Sequence, residues 1–176
     1  DTVGVTGSAQ FVDKNAGSVK AVNLSELTLS GDAMGNYSLA ATAIGTAEIT
    51  QRTLSLAFAG ANKVYDRDTA AVVTITDNRI ANDVLTATAI GEFADKNAGG
   101  NKVVTVRNAS LSGADANNYV LASTTGATNA TITQRELALG FTAAGKTYDG
   151  GIAASLTIAD NRIANDVLTA TAIGEF

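Results

Sequence analysis

DNRIANDVLTATAIGEF occupies Asp77–Phe93 and returns letter for letter at Asp160–Phe176, at an offset of 83. The match extends outward on both sides. KVYDRDTAAVVTI from Lys63 aligns with KTYDGGIAASLTI from Lys146, and ITQRTLSLAF from Ile49 aligns with ITQRELALGF from Ile132. The other half repeats as well: FVDKNAG from Phe11 matches FADKNAG from Phe93, and LTLSGDAMGNYSLA from Leu27 matches ASLSGADANNYVLA from Ala109. There the offset is 82, so one residue is inserted between Leu121 and Ile132. Two periods and eleven residues fill the 176 positions, and the chain is expected to begin and end inside a repeat. The period decides the architecture. Solenoid repeats run roughly 20–50 residues and cannot bury a core alone, whereas a unit of about 83 residues can, if marginally. Beads on a string are expected, and the long period also argues against a flat threonine-laddered solenoid.

Within each repeat the apolar residues alternate with period two, as in strands, rather than with the helical 3.6. In RTLSLAF, Leu54, Leu56 and Phe58 alternate with Thr53, Ser55 and Ala57, and the same face returns as Leu137, Leu139 and Phe141. Further short strands are expected at Ala71–Thr76, Val84–Ile90, Lys102–Val106, Tyr119–Ser123 and Asn129–Thr133. IANDVLTATA reads as strand despite its alanines, because Val, Thr and Ile dominate its interior. Between the strands lie Gly-Ala-Asn, Asp-Asn-Arg, Asp-Lys-Asn-Ala-Gly-Gly and Ser-Gly-Ala-Asp, all turn formers. Strands at this spacing with such turns predict a sandwich or barrel. LSGADANNYVLA places Tyr119 just after an Asp- and Asn-rich corner, with Tyr37 at the matching position one repeat earlier. A tyrosine there ties its hydroxyl to corner backbone in Greek-key sandwiches. That structural role is favoured for Tyr119 over ligand stacking. One core is expected from Leu54, Leu56, Phe58, Tyr65, Ile75, Leu85, Phe93, Val104, Leu111, Tyr119, Leu121 and Ile132.

Composition narrows the function. Charged residues make up 16%, and the net charge is −5. A phosphate-binding surface needs clustered Lys and Arg, so nucleic acid is not an expected partner, nor is an anionic membrane. No run approaches the roughly 18 apolar residues of a membrane-spanning helix. The chain has no Cys and no His, which excludes disulfides, thiolate metal sites, and Ser–His or Cys–His nucleophiles.

The motifs KTYDG at Lys146–Gly150, FADKNAG at Phe93–Gly99, LSGADANNY at Leu111–Tyr119 and ATITQR at Ala130–Arg135 resemble the YDG/MBG-type repeats of large bacterial surface and secreted proteins. Many of those are filamentous-haemagglutinin-like adhesins. The resemblance covers nearly the whole chain in order and spacing. It implies tandem Ig-like, Greek-key β-sandwich modules of about 83 residues, a size able to hold its own core, arranged end to end. In that phase residues 1–52 are the C-terminal part of one module, 53–135 a complete module, and 136–176 the N-terminal part of the next. It also implies an extracellular location, at the bacterial cell surface or secreted. KVYDR at Lys63–Arg67 departs from the pattern: Arg67 stands where the motif has Gly, so the turn there is expected to be altered.

Three kinds of chemistry compete with a purely structural reading. Glu92 and Asp95 form a carboxylate pair of the kind glycosidases use. The first recurs as Glu175, but Gln10 stands at the matching place in the first repeat, so a solvated strand end is favoured and no catalytic residue is assigned. Calcium is the second. Asp66 and Asp68 share a turn, Asp77, Asn78, Asn82 and Asp83 bracket another, and Asp115 and Asn117 sit in a third. Ca²⁺ needs six to eight oxygens. No dense Asp-x-Asp-x-Asp loop occurs, and Gly151 replaces Asp68 in the copy, so neither a metal nor another cofactor is expected. The third is an intramolecular Lys–Asn isopeptide bond. Lys96 and Asn97 recur as Lys14 and Asn15, and Lys102 recurs as Lys20, but DKNAG reads first as a tight turn.

A spacer repeats its core and its turns, whereas a binding site repeats exposed aromatic or charged groups too. The identical block is mostly strand and turn, and its aromatic is Phe93. The chain is therefore expected to be a stalk segment rather than an enzyme, with neighbouring modules as its partners. A module that binds glycan or another copy of the adhesin is the alternative. ITQR at Ile49–Arg52 and Ile132–Arg135 holds no Gly/Ser tract, so stiff joints are expected. Tyr65 and Tyr148 should then lie roughly one module length, 35–45 Å, apart.

Overall fold

A computed structural model describes residues 2–40 and 43–175. It is all-β: among the described residues the helical elements are two single 3-10 turns, Met34–Asn36 and Ala116–Asn118. These occupy matching places in SGDAMGNY and SGADANNY. The chain divides into two compact units. One comprises residues 1–58, 75–89 and 107–126, and the other comprises residues 59–74, 90–106 and 127–176.

In the first unit, Gly4–Phe11, Gly17–Ser30 and Ala43–Ile49 form an antiparallel three-stranded sheet in that order. Arg52–Leu54 pairs in parallel with Tyr119–Leu121. Below that pair Leu54, Leu85 and Tyr119 are buried together, with Leu56, Leu111, Ala116 and Leu121 packed around them. In the second unit Lys63–Val64 pairs in parallel with the end of Gly126–Thr133, and Ala70–Ala71 pairs antiparallel with the end of Thr86–Phe93. Phe93, Val104, Ala130 and Ile132 make its core, flanked by Tyr65, Ala71 and Val73. Toward the C-terminus Leu139–Ala143 pairs with Leu156–Asp160, and Ala153–Ala154 with Gly174–Glu175. The largest sheet has five strands, ordered Lys63–Val64, Gly126–Thr133, Gly99–Ser112, Thr86–Phe93 and Ala70–Ala71.

Of the twelve residues expected in the core, none is exposed, and Leu54, Leu85, Phe93, Val104, Tyr119 and Ile132 are fully buried. They form two clusters rather than one. One cluster lies in each compact unit.

Strand boundaries differ from expectation in ways the backbone explains. The strand expected at Lys102–Val106 runs for 14 residues, Gly99–Ser112. Val104 and Val106 face inward, and Ala109 and Leu111 follow on the same buried side although the count of two is broken between them. Asn108 sits there at φ +55. One extra residue in left-handed conformation restores the inward face, as a bulge does. Glu26 holds the matching place at φ +54. Opposite it the register of the first sheet slips between Thr6 and Ser8.

The strand expected at Val84–Ile90 begins at Thr86 and ends at Phe93. Ile80–Leu85 is instead a turn, closed by the Asp83 N–H bonding the Ile80 carbonyl. Arg79 clamps it, its guanidinium bonding both the Asp77 carboxylate and the Leu85 carbonyl. The remaining strands shift by shorter steps. Tyr119–Leu121 is shorter than expected and Gly126–Thr133 longer, and Ala71–Thr76 divides into Ala70–Ala71 and Val73–Asp77.

Candidate functional site: a carboxylate-centred joint in each unit

The DKNAG turn builds the first joint. The Asp13 carboxylate accepts the Asn15 N–H at 2.7 Å and the Lys20 ammonium, closing the loop on itself. Lys14 is left to reach Asp83 at 3.1 Å and Asp115 at 2.8 Å. Beside it the Ala16 N–H donates to Asn118 Oδ1 at 2.9 Å, and Asn118 Nδ2 donates to Asn15 Oδ1 at 3.2 Å. Gln51 Nε2 donates to the carbonyls of Asn117 and Tyr119, at 2.9 and 3.4 Å.

Tyr119 lies at the centre. Its ring is buried against Leu54 and Leu85. Its hydroxyl accepts the Ile80 N–H at 2.9 Å and donates to Asp83 Oδ2 at 2.6 Å. The Tyr119 hydroxyl first, and Lys14 second, hold the Asp83 carboxyl below its ordinary pKa. Lys14 and then the Val84 N–H do the same for Asp115, and these two carboxylates raise Lys14 in return. Lys14 is 67% exposed, so solvent screens much of this attraction. The tyrosine is thus structural, but its hydroxyl grips the Ile80–Asp83 turn, not the Asp- and Asn-rich corner beside it. Gly113, at φ +116, lets that corner approach so closely that a Cβ would lie 2.6 Å from the Val84 carbonyl.

The second unit holds a joint of matching kind. Tyr65 donates its hydroxyl to Asp166, the counterpart of Asp83, at 2.9 Å. Burial first, and Asp166 second, raise the Tyr65 pKa. Arg67 donates to the Ala164 carbonyl at 2.5 Å, and its Nε lies 3.4 Å from Asp166. Its turn is not altered: Arg67 adopts φ +73, and Gly150 in the copy adopts φ +72. The left-handed backbone costs a residue with a Cβ about 1 kcal/mol, and the guanidinium contacts offset it. The turn itself is anchored alike in both copies. Lys63 bonds Asp66 and the Asp68 and Ala70 carbonyls, and Lys146 bonds Asp149 and the Gly151 carbonyl. Next to Tyr65 a cavity of about 470 Å³ is lined by Asn97, Ala98, Gln134, Leu137, Ile163 and Asp166, among others.

The carboxylates weighed for calcium are engaged by protein donors. Asp66 and Asp68 accept backbone N–H groups within their own turn, Asp77 accepts Arg79, and Asp83 and Asp115 accept Lys14. No group of three or more His, Cys, Asp or Glu side chains gathers among the described residues. Glu92 accepts the Thr69 hydroxyl at 3.1 Å while Asp95 accepts Lys102 at 2.6 Å, so the two carboxylates serve separate contacts. The isopeptide candidates are distributed the same way: Lys102 and Lys20 pair with Asp95 and Asp13, and Lys14 and Asn15 serve the joint. Turn composition does not disclose the joints; their signal is the recurrence of Asn15, Gln51 and Asp83 as Asn97, Gln134 and Asp166, with Ile80, which serves through its N–H, returning as Ile163.

These features define an all-β protein whose sequence repeat carries its own polar joints. A profile of the YDG domain matches residues 1–44 and again 50–126, well over half of the sequence, and the chain belongs to the YDG domain family. No curated protein and no solved structure matches it.

Proposed function

We propose that the chain is a structural spacer: a stalk segment of a large secreted bacterial surface adhesin, holding a distal binding region away from the cell. In this reading Ig-like, Greek-key β-sandwich modules, each one sequence repeat long, follow one another end to end. Residues 1–52, 53–135 and 136–176 are then parts of three of them. One observation supports it above the others. Groups that bridge residues 1–52 to the following repeat recur one period later, with Asn15, Ala16, Gln51 and Asp83 returning as Asn97, Ala98, Gln134 and Asp166. A repeat that carries both sides of its own joint is suited to extension, and it needs neither a cofactor nor a catalytic group. The test is X-ray scattering on chains carrying two, three and four repeats. The longest dimension should grow by roughly 35–45 Å per added repeat; a dimension that fails to grow in proportion would sink the stalk.

A further inference from the structure

We infer that two positions set the strength of each joint, and set it independently. One is the residue after Asp in KVYDR and KTYDG, Arg67 or Gly150; the other opens the 3-10 turn, Asp115 or Ala33. The inference rests on the reading of the chain as a spacer of jointed repeats, and it says what makes one joint hold harder than the next.

Both positions keep a fixed backbone under a changing side chain. Arg67 and Gly150 adopt φ +73 and +72. Asp115 adopts φ −98 and ψ 1, and Ala33 adopts φ −97 and ψ 5, each at the head of its 3-10 turn. Both of the latter are buried there. The local turn therefore does not select between aspartate and alanine, and at Arg67 it works against the larger residue, because left-handed backbone suits glycine. Something outside the turn accounts for each polar side chain.

In both cases that something is the facing side of a joint. Asp115 meets Lys14 at 2.8 Å across the first joint. Arg67 donates to the Ala164 carbonyl at 2.5 Å across the second, with its Nε 3.4 Å from Asp166. An alanine or a glycine side chain has no group that could make either contact. The rest of the bridging set is constant, since Asn15, Gln51 and Asp83 return as Asn97, Gln134 and Asp166. The constant set makes a joint wherever two repeats meet, and the two variable positions grade it. Asp115 and Arg67 belong to the same repeat, one turned to the repeat before it and the other to the repeat after it. That repeat therefore grips both neighbours harder than one carrying alanine and glycine would.

Amide hydrogen exchange on the full chain reads the two joints separately. The Ala16 N–H, held by Asn118 Oδ1, reports the first, and the Asp166 N–H, which closes its turn on the Ile163 carbonyl, reports the second. Asp115→Asn keeps an acceptor for the Val84 N–H and removes the charge that faces Lys14. It should speed Ala16 exchange by about two- to fivefold, and Lys14→Ala, which leaves the corner intact, should do the same. Arg67→Gly should speed Asp166 exchange by about tenfold or more, and Arg67→Lys, which keeps the charge but not the fork, by less. Each variant should leave the other joint's reporter unchanged, and a double variant should show both effects together, as sites with no shared partner do. An Ala16 amide indifferent to both Asp115→Asn and Lys14→Ala, an Asp166 amide indifferent to Arg67→Gly, or a single variant that speeds both reporters overturns the inference. If the scattering series lengthens while the reporters stay still, the grading alone fails; if the reporters respond and the series does not lengthen, the stalk fails and the two contacts stand.

Discussion

Arg67 and Gly150 share one backbone conformation at matching places in successive repeats, and the difference between their side chains isolates what each contributes. Arg67→Ala keeps the Cβ strain and loses the contacts to Ala164 and Asp166, whereas Arg67→Gly loses the contacts but relieves the strain. The glycine variant should therefore be more stable than the alanine variant by about 1 kcal/mol in urea unfolding. Phe93 and Phe11 make a second pair, equal in motif and unequal in burial, at 2% and 40% exposed. Phe93→Ala should cost about 3–5 kcal/mol by leaving a cavity in its cluster, and Phe11→Ala a fraction of that, read by the same unfolding curves. Both residues open the same FxDKNAG motif, so the sequence pattern assigns them one role. Phe93 is covered by Tyr65, Ala71 and Val73 from earlier in its repeat, contacts that a local motif does not carry.

Among the elements, strand identity was legible wherever apolar residues kept strict alternation, as in Leu54, Leu56 and Phe58, and it failed where the alternation changed phase. Val106 to Ala109 is such a place: the left-handed Asn108 shifts the count by one, so of a strand of 14 residues the alternation shows only Lys102–Val106. The identical blocks behave alike where both have their partners: Ala70–Ala71 pairs with Gly91–Glu92 in the first copy, and Ala153–Ala154 with Gly174–Glu175 in the second. The bulge gives a prediction of its own. Glu26 holds φ +54 where Asn108 holds φ +55, and asparagine tolerates that region far better than glutamate. Glu26→Asn should stabilise the first sheet by about 0.5–1 kcal/mol, read as slower amide exchange across Gly4–Phe11 and Gly17–Ser30. The glutamate's bond from the Ser8 hydroxyl is exposed and offsets little of this.

For the molecule as a whole, the acid limb of stability should be set by aspartates clamped to cations and N–H groups. Arg162 holds the Asp160 carboxyl down to about 2, from an ordinary 3.8. Arg79 lowers Asp77, and Tyr119 and Lys14 lower Asp83. A folded pKa below the unfolded one contributes stability above the unfolded value, and that contribution is lost as pH falls through the folded one. Thermal stability should therefore hold level down to about pH 5 and fall between about pH 4 and 2. With no histidine in the chain, no side-chain titration step is expected between about pH 5 and 8. At the alkaline end the Tyr119 pKa is raised, by Asp83 first and burial second, and Tyr65 is raised as well. Their contribution is present below about pH 10 and disappears as each hydroxyl ionises in the folded state.

The two parallel strand pairs have a consequence for load. Arg52–Leu54 runs alongside Tyr119–Leu121, and Lys63–Val64 alongside Ile132–Thr133. In each pair one strand comes from the start of the repeat and the other from near its end. Tension applied at the two ends of a repeat draws such partners past each other lengthwise. The hydrogen bonds across each pair then share the force and must fail together, whereas a hairpin pulled from its open end peels one bond at a time. Asn62 Oδ1, which accepts the Thr131 N–H at 2.8 Å, adds a rivet to the second pair. Asn62→Ala should lower the force at which a single tethered repeat gives way in a pulling experiment, more than its effect on unfolding by urea would suggest. Resistance to stretching is therefore expected to follow strand direction, through a few short ladders rather than a large core.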